Sequence, residues 1–173
     1  FLDSEKGGFF FTAADAQAPM LRLRSFQDDA LPSGNGIAAR GLLQLGHLTG
    51  EARYLDAARE TLAAAGSDME RYPLAHAAML TALNEYLDPP VQLIVRGTDA
   101  EKVAQLSGAA HEAMAVGHGL HCYTIGPGNE TAPGIINGIG GAVDAQAIIC
   151  RGTRCLPPTA DPAELTRLIN QTD

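Results

Sequence analysis

The 173-residue chain has no apolar run that approaches the roughly 20 residues needed to span a bilayer, so we expect no transmembrane helix. It is also short of positive charge: 12 Lys and Arg stand against 20 Asp and Glu, giving a formal net charge of −8 and a pI near 5.0. This balance argues against a nucleic-acid partner and against an anionic membrane surface. No secretory signal pattern is present, which favours a cytoplasmic location. Because the chain opens at Phe1 rather than Met, within what reads as structured sequence, we expect a piece of a longer protein.

Cysteine is scarce as well, since Cys122, Cys150 and Cys155 are too few for a disulfide scaffold. The spacing of Cys150 and Cys155 suits a hairpin with facing thiols. We expect these thiols to be reduced and structural, with a disulfide as the alternative; a metal pair is least favoured because C-x4-C lacks its second half. His118, His121 and Cys122 resemble a ligand cluster, but His121 and Cys122 would point to opposite faces of a strand. The sequence therefore predicts no metal site and no cofactor.

Apolar sequence is plentiful enough for a folded domain. Hydrophobic residues make up 46% of the chain and charged residues 18%, which is typical of globular proteins and not of long disordered regions. A single domain of this length would bury roughly 70% of the surface that its unfolded chain exposes.

A polar stretch at residues 28–36, Asp-Asp-Ala-Leu-Pro-Ser-Gly-Asn-Gly, precedes the first strongly helical segment. Its Pro and Gly residues predict a turn, and Ser33 or Asn35 can accept hydrogen bonds from the free N–H groups of the new helix. The structural interpretation is a helix-capping turn. The functional alternative is a preorganised loop whose carboxylate, hydroxyl and amide groups line a polar pocket, with Arg22 and Arg24 nearby in sequence.

Residues 3–15 hold three of the five Phe residues and are expected to be buried, as a short strand or an extended connection. Residues 20–25 alternate apolar and basic side chains, which predicts a second short strand with Arg22 and Arg24 on one face. A solvated face is the default for such a pair, and a clamp for a carboxylate or phosphate is the alternative. No catalytic residue is assigned, and the candidate ligand-binding residues are Arg22, Arg24, Asp28, Ser33 and Asn35.

Three helices are predicted next, over residues 37–47, over 52–65 with a stop at 66–68, and from near Pro73 onward. Apolar residues fall near one side of the first helix, at Ile37, Leu42, Leu45 and Leu48. The short loops predict antiparallel αα-hairpins packed side by side. His76 lies on the apolar stripe of the third helix; we expect a hydrogen-bonded core histidine, with an acid or base in a pocket as the alternative.

The composition changes at Asp88-Pro89-Pro90, which predicts a boundary between a helical segment, residues 1–88, and a second segment, residues 89–173. Strand, helix and strand patterns follow at 91–95, 99–115 and 120–125. This order predicts a right-handed βαβ unit with parallel strands.

The rest of the second segment is predicted to hold a third strand at 146–150, with 153–155 returning beside it. A final helix follows, opened by Asp161 as its cap with Pro162 in the first position. The glycines of 126–141 lack the Lys-Ser/Thr of a phosphate loop, and a flexible connection is the better interpretation. The turn after the first strand contains only Gly97, so it is no dinucleotide fingerprint.

Several of these motifs occur together, in the same order, in one protein family. The stretches that carry the resemblance are Gly7-Gly-Phe-Phe-Phe-Thr-Ala-Ala-Asp15, Asp28-Asp-Ala-Leu-Pro-Ser-Gly-Asn35, Leu48-Thr-Gly50 with Tyr54 and Ala57-Ala58, and Ile149-Cys-Arg-Gly-Thr-Arg-Cys155 with Pro157-Pro158 and Asp161-Pro162. They resemble the C-terminal part of the thioredoxin-domain-containing proteins of YyaL type, which include the spermatogenesis-associated relatives.

This resemblance implies a fold that is mainly α with an α/β C-terminal part. Residues 1–88 would be helices of an incomplete α/α barrel of the six-hairpin kind, similar to N-acylglucosamine epimerases and certain glycosidases, and residues 89–173 a small βαβ-containing segment. Three helices cannot close such a ring, so their apolar faces would need a partner. We therefore expect either the remainder of a longer chain or self-association.

Two functions remain open, and whether the protein is an enzyme is undecided. In the first, the barrel binds or processes a carbohydrate-like ligand, with Asp28, Ser33 and Asn35 on sugar hydroxyls. Asp28 could then serve as a general acid or base if burial raises its pKa. In the second, the helices are a non-catalytic structural or interaction module attached to a thioredoxin-like redox domain. A redox role of Cys150 and Cys155 is a weaker third option.

Overall fold

The computed structural model describes residues 1–16, 21–114, 120–126 and 143–171. They fall into two compact units, Phe1–Asp88 and Pro89–Asp173. The boundary in the sequence lies at the composition change at Pro89. Within the described ranges, no helix combines the length and the apolar character required to cross a membrane. The glycine-rich residues 127–142 and His118 lie outside the described part of the chain.

The first unit contains the three predicted helices: α1 Gly34–Thr49, α2 Ala52–Arg71 and α3 Ala77–Leu87. The predicted stop of α2 at residues 66–68 is wrong. The helix continues to Arg71, because the extra turn buries Met69, 6% exposed, in the core of the unit. The predicted start of the third helix near Pro73 is also early, since Pro73–Ala75 form a single 3-10 turn and α3 follows it.

Contacts near both ends of α3 show that it runs alongside α1 in the same direction. Gly36 lies against Ala78 at the start of the two helices, and Arg40, one turn further along α1, pairs with Glu85 further along α3. The loop of two residues between α1 and α2 reverses the chain, as the prediction of antiparallel hairpins requires. The α/α barrel stays a prediction.

The side of α1 on which the large apolar residues were predicted to gather is not the buried side of the helix. Ile37 and Leu45 are 52% and 45% exposed, whereas the buried side of the helix carries mostly small residues. Its buried members are Asn35, Gly36, Ala39, Leu43 and Gly46. At these glycines a Cβ would come within 3 Å of a neighbouring helix, Ala78 in one case and Leu55 in the other. Close helix approach, rather than apolar bulk, therefore sets the orientation of α1.

The strand predicted over residues 20–25 is wrong for the part that the structure describes. Residues 22–28 are extended without belonging to a sheet, and Phe11 donates one backbone hydrogen bond to the Leu23 carbonyl at 2.9 Å. The segment before them is a connection rather than a strand, with a single bridge between Leu2 and Phe9. Backbone groups of Phe9, Thr12 and Ser25 form hydrogen bonds with the side chains of Asn35 and Arg22 instead of with a neighbouring strand.

His76 is a hydrogen-bonded core histidine, as predicted. Its side chain is buried, and its Nδ1 lies 2.8 Å from the Tyr72 carbonyl oxygen. Since a carbonyl can only accept, Nδ1 carries the proton. The residue precedes α3 instead of lying within it, and Met79 continues the buried stripe.

In the described part of the second unit, four strands form a sheet with the order β2-β1-β3-β4. The strands are β1 Val91–Arg96, β2 Leu120–Ile125, β3 Gln146–Arg151 and β4 Arg154–Cys155. The parallel pairing of β1 with β2 across helix α4, Ala100–Met114, confirms the predicted βαβ unit. β3 pairs antiparallel with β1 on its other side, and β4 returns beside β3 as predicted.

One face of this sheet packs against α4 and the final helix α5, Pro162–Ile169. Val91, Leu93 and Val95 of β1 belong to that core. The alternate residues Gln92 and Ile94 point to the opposite face, because side chains alternate along a strand. As predicted, Asp161 caps α5: its side chain accepts a hydrogen bond from Ala163 N at 2.9 Å, with Pro162 in the first position.

The expected reduced state of Cys150 and Cys155 is wrong. The two residues are direct cross-strand partners of β3 and β4, and their sulfurs form a disulfide. The hairpin places their Cα atoms only 4.0 Å apart, so the facing thiols that the spacing suggested lie within bonding reach. Cys122, on β2, is a free and partly buried thiol.

Candidate functional site

The Asp28 carboxylate ties the polar loop to the start of α3. Its Oδ1 accepts a hydrogen bond from Ser33 N at 2.8 Å, and its Oδ2 accepts one from Ala78 N at 2.9 Å. The backbone N–H of the same residue donates to the Ala75 carbonyl at 2.8 Å. A single aspartate therefore organises its own turn and caps a helix that begins some fifty residues later.

These contacts decide the protonation state of Asp28. Burial raises the pKa of the carboxyl, but hydrogen bonds from the backbone N–H groups of Ala78, Ser33 and Ala77, with the charge of His76, outweigh it and leave the pKa below its ordinary value. A carboxylate held in this way stays ionised near neutral pH. The condition on which Asp28 could serve as a general acid or base, a pKa raised by burial, is therefore not met.

Ser33 performs the capping role predicted for it. Its Oγ accepts a hydrogen bond from Gly36 N at 3.0 Å, in the extended conformation usual for a residue that precedes a helix. The side chain is buried, 5% exposed. It has no free surface for a sugar hydroxyl.

Asn35 acts as a buried clamp instead of a cap or a ligand. Its Oδ1 accepts a hydrogen bond from Phe9 N at 2.6 Å, while its Nδ2 donates to the carbonyls of Phe9 at 3.0 Å and of Ser25 at 2.8 Å. The amide thus pairs with an extended backbone as a neighbouring strand would. It fixes the N-terminal segment to the stretch before the loop, and it is only 2% exposed.

Arg22 and Arg24 are neither a solvated pair nor a free anion clamp. Arg22 donates to the Thr12 carbonyl at 2.7 Å and stacks on Phe10, with 4.1 Å from the guanidinium carbon to the ring centre. Arg24 donates to Asp3 at 2.8 Å and also to the Gly7 carbonyl. Both guanidinium groups are therefore engaged in holding the N-terminal segment.

The five candidate residues do not converge on one ligand site. Asp28 and Ser33 contact each other, and Asn35 and Arg24 both bind the N-terminal segment, but they do so through internal hydrogen bonds. Of the five, only Asp28 borders the pocket beside the loop. Their described hydrogen bonds are internal to the fold, and a ligand-binding role of these five residues stays a prediction.

That pocket is an open depression of about 390 Å³ between the loop and the first turns of α1 and α3. Its walls are mostly apolar, with polar groups from Asp28, Asp29, Arg40 and Thr81 at its border. Arg40 is turned towards Glu85, donating to Oε1 from Nε at 2.9 Å and from Nη2 at 2.6 Å. The Thr81 hydroxyl donates to the Ala77 carbonyl at 2.8 Å.

The sequence does not mark Arg40 and Thr81 as pocket residues, because each lies on a helix whose facing partner only the fold reveals. Residues four apart share a helix face, so Thr81 could be placed beside Ala77, but not beside a loop 50 residues earlier. No metal ligand cluster of three His, Cys, Asp or Glu residues occurs in the described part of the chain.

Comparison with known proteins gives relatives over nearly the whole chain. No protein-family profile matches the sequence, and no solved structure matches it. The chain is similar to spermatogenesis-associated protein 20 of Homo sapiens, with 29% identity over 175 residues and 98% of this chain covered. The protein of the same name from Rattus norvegicus is 30% identical over 176 residues. In both comparisons the matched region spans only 22% of the relative's length, and the similarity supports the resemblance to the spermatogenesis-associated type.

Proposed function

We propose that this chain is a non-catalytic structural and interaction segment of a longer polypeptide of the spermatogenesis-associated type, placed in its C-terminal part. The observation that carries the proposal is the internal commitment of the polar loop. Both Asp28 oxygens, the Ser33 hydroxyl and the whole Asn35 amide are used to join chain segments. The Ser33 and Asn35 side chains are also buried, so a ligand could reach them only if the surrounding chain opened.

The second support is an exposed apolar face on α1. Ile37, Gly41 and Leu45 are four residues apart and so share one side of the helix. The two larger side chains are half exposed, and a Cβ at Gly41 would meet nothing within 4 Å. The opposite side of α1 is buried against α2 and α3. The helix therefore has a second face suited to packing, and no described residue of this unit covers it.

We propose that further segments of the longer polypeptide cover this face. The relatives are several times longer than the matched region, which spans about a fifth of them. The exposed Leu31, Leu74 and Leu87, 78%, 97% and 73% exposed, would be covered in the same way. An α/α barrel completed by additional helices, attached to a thioredoxin-like domain in a cytoplasmic protein, is the architecture in which this segment would serve.

The carbohydrate hypothesis remains a second candidate because of the open pocket beside Asp28. Its size suits one sugar ring, and Asp29, Arg40 and Thr81 offer polar groups of both signs around an apolar floor. Under this hypothesis the ligand would contact the residues that border the pocket, and not Ser33 and Asn35.

One experiment separates the two candidates. Ile37→Glu with Leu45→Glu places charges on the exposed face of α1, and Arg40→Gln removes a polar group of the pocket. Sedimentation and hydrophobic-dye binding of the chain should show self-association and dye binding that the double variant abolishes, while Arg40→Gln changes neither. A monomeric chain that binds no dye would contradict the structural proposal. Loss of sugar binding in Arg40→Gln alone would favour the pocket.

A further inference from the structure

The Cys150–Cys155 disulfide lies at the open edge of the sheet in the second unit. β4 is a two-residue strand at the end of the order β2-β1-β3-β4, and Cys155 is exposed while Cys150 is 4% exposed. The bond therefore joins an exposed cysteine to a buried one. Such asymmetry determines which sulfur is attacked in thiol–disulfide exchange, since access is one of the determinants of the rate.

Two arginines flank this bond in an otherwise acidic chain. Arg151 and Arg154 are cross-strand partners directly next to the Cys150–Cys155 pair, and both are exposed. Neighbouring residues of a strand point to opposite faces, but one residue step is only about 3.3 Å. Positive charge is therefore placed one residue along each strand from the disulfide. It would attract an anionic thiol and stabilise a thiolate at either cysteine.

A buried amide faces the inner sulfur. Gln92 is the cross-strand partner of Cys150 on β1, so both side chains lie on the same face of the sheet. The Gln92 side chain is 1% exposed, and neither its Nε2 nor its Oε1 has a hydrogen-bond partner among the described residues. A disulfide sulfur is a weak acceptor, whereas a thiolate is a strong one. Release of Cys150 would therefore give the Nε2 donor a partner that it lacks in the oxidised protein.

We propose that the Cys150–Cys155 disulfide is a thiol-exchange site at which a small anionic thiol attacks the exposed Cys155 and releases Cys150 beside Gln92. In the first step the thiolate of the reagent bonds to the Cys155 sulfur, the Cys150–Cys155 bond breaks, and its electron pair leaves on the Cys150 sulfur. A second thiolate then attacks the reagent sulfur of the mixed disulfide and releases Cys155. The two reagent thiols are oxidised to their disulfide, and both protein thiolates take up protons from water.

This inference is independent of the proposed structural role of the first unit. It accounts for a disulfide in a chain with only three cysteines, which is too few for a disulfide scaffold.

The test uses the full 173-residue chain carrying Cys122→Ser, so that only the proposed pair reacts. The reagents are glutathione, which is anionic, neutral 2-mercaptoethanol and cationic cysteamine. Mass spectrometry of acid-quenched samples should find the mixed disulfide on Cys155 and not on Cys150. Arg151→Gln with Arg154→Gln should lower the rate with glutathione relative to cysteamine on the order of fivefold, and added salt should reduce the same preference. Arg71→Gln, which removes an exposed charge in the first unit, should leave it unchanged.

Gln92→Met tests the inner sulfur, because it keeps the side-chain length and removes the amide. Titration against defined ratios of reduced and oxidised glutathione should show an equilibrium constant for reduction about tenfold lower than in the parent. If the Gln92 amide had only a structural role, Gln92→Met would change the stability of the protein but not this equilibrium constant. If Gln92→Met does not fold, Cys150→Ser provides the second measurement: oxidised glutathione should modify its free Cys155. Adducts on Cys150, equal rates for the three thiols in both Arg backgrounds, or an unreactive Cys155 in Cys150→Ser would each overturn the proposal.

Discussion

The Asp28 Oδ2 accepts a hydrogen bond from the Ala78 backbone N–H at 2.9 Å, across fifty residues of sequence. This bond joins the turn before α1 to the first turn of α3. Helix N-termini have unpaired N–H groups and a positive dipole end, so a carboxylate at this position stabilises the helix. The same residue fixes its own loop through Ser33 N. Asp28 is therefore a structural centre of the first unit.

The first prediction concerns the strength of this centre. Asp28→Asn should lower the free energy of unfolding by about 2 kcal/mol, because one of two charge-assisted hydrogen bonds is lost and an amide N–H₂ then faces a backbone donor. Urea denaturation gives the value. Asp29→Asn, at the exposed neighbouring position, is the matched control and should change the value by less than about 0.5 kcal/mol. Equal effects of the two substitutions would contradict the assignment.

The second prediction follows from the lowered pKa of Asp28. Burial opposes ionisation of this carboxyl, but the backbone hydrogen bonds from Ala78, Ser33 and Ala77 prevail, so its pKa in the folded protein lies below the ordinary value of 3.8. A depressed carboxyl pKa stabilises the fold above the pKa of the unfolded chain and loses this effect as the pH falls through the folded value. The difference in unfolding free energy between the parent and Asp28→Asn should be constant above about pH 5 and shrink below pH 4. A difference that grows on acidification would show the opposite shift.

Local signals in the sequence were sufficient for much of this fold. Ser33 and Asp161 cap helices where their side chains and neighbours predicted caps, because capping depends on residues within three positions. The βαβ unit followed from two apolar runs separated by one helix. His76 was placed in the core by its position on an apolar stripe.

The features that failed depend on partners distant in sequence. Gly36 and Gly46 carry no apolar side chain, so a periodicity of large hydrophobic residues could not reveal that α1 turns these glycines inward and leaves Ile37 outside. Asn35 bonds to Phe9, 26 residues earlier, and a single sequence holds no sign of that pairing. The oxidation state of Cys150 and Cys155 was likewise undetermined, since their spacing allows facing thiols and a disulfide equally.

The third prediction tests the close approach of α1 and α3. Gly36→Ala should destabilise the protein by about 1–3 kcal/mol, because its Cβ would lie 2.7 Å from Ala78 Cβ and the two helices would have to separate. Gly41→Ala is the matched control on the same helix, where a new Cβ meets nothing within 4 Å. It should stabilise the protein by about 0.5–1 kcal/mol through helix propensity alone. Thermal unfolding of the two variants should therefore move in opposite directions, and a shift in the same direction would argue against the contact.

The fourth prediction concerns His47 in the last turn of α1. Burial alone lowers the pKa of its imidazole below the ordinary value of 6.5, and neither ring nitrogen has a hydrogen-bond partner among the described residues. The unfolded chain therefore binds a proton at a pH where the folded chain does not, so stability should be unaffected above about pH 7 and should decline as the pH falls through 6.5. His47→Leu should remove part of this decline, while His111→Gln, at an exposed position on α4, should retain it.

Urea denaturation of the three proteins between pH 7.5 and pH 5.5 measures the effect. The imidazole signals of the parent, assigned by the loss of one resonance in His47→Leu, report the same pKa directly by NMR. The two measurements must agree. If a different histidine caused the decline in stability, the decline would persist in His47→Leu, and the His47 resonance of the parent protein would titrate at or above pH 6.5. The half-buried imidazole of His47 is then a source of acid sensitivity between about pH 7 and pH 5.5, well above the range below pH 4 in which the Asp28 carboxylate loses its effect.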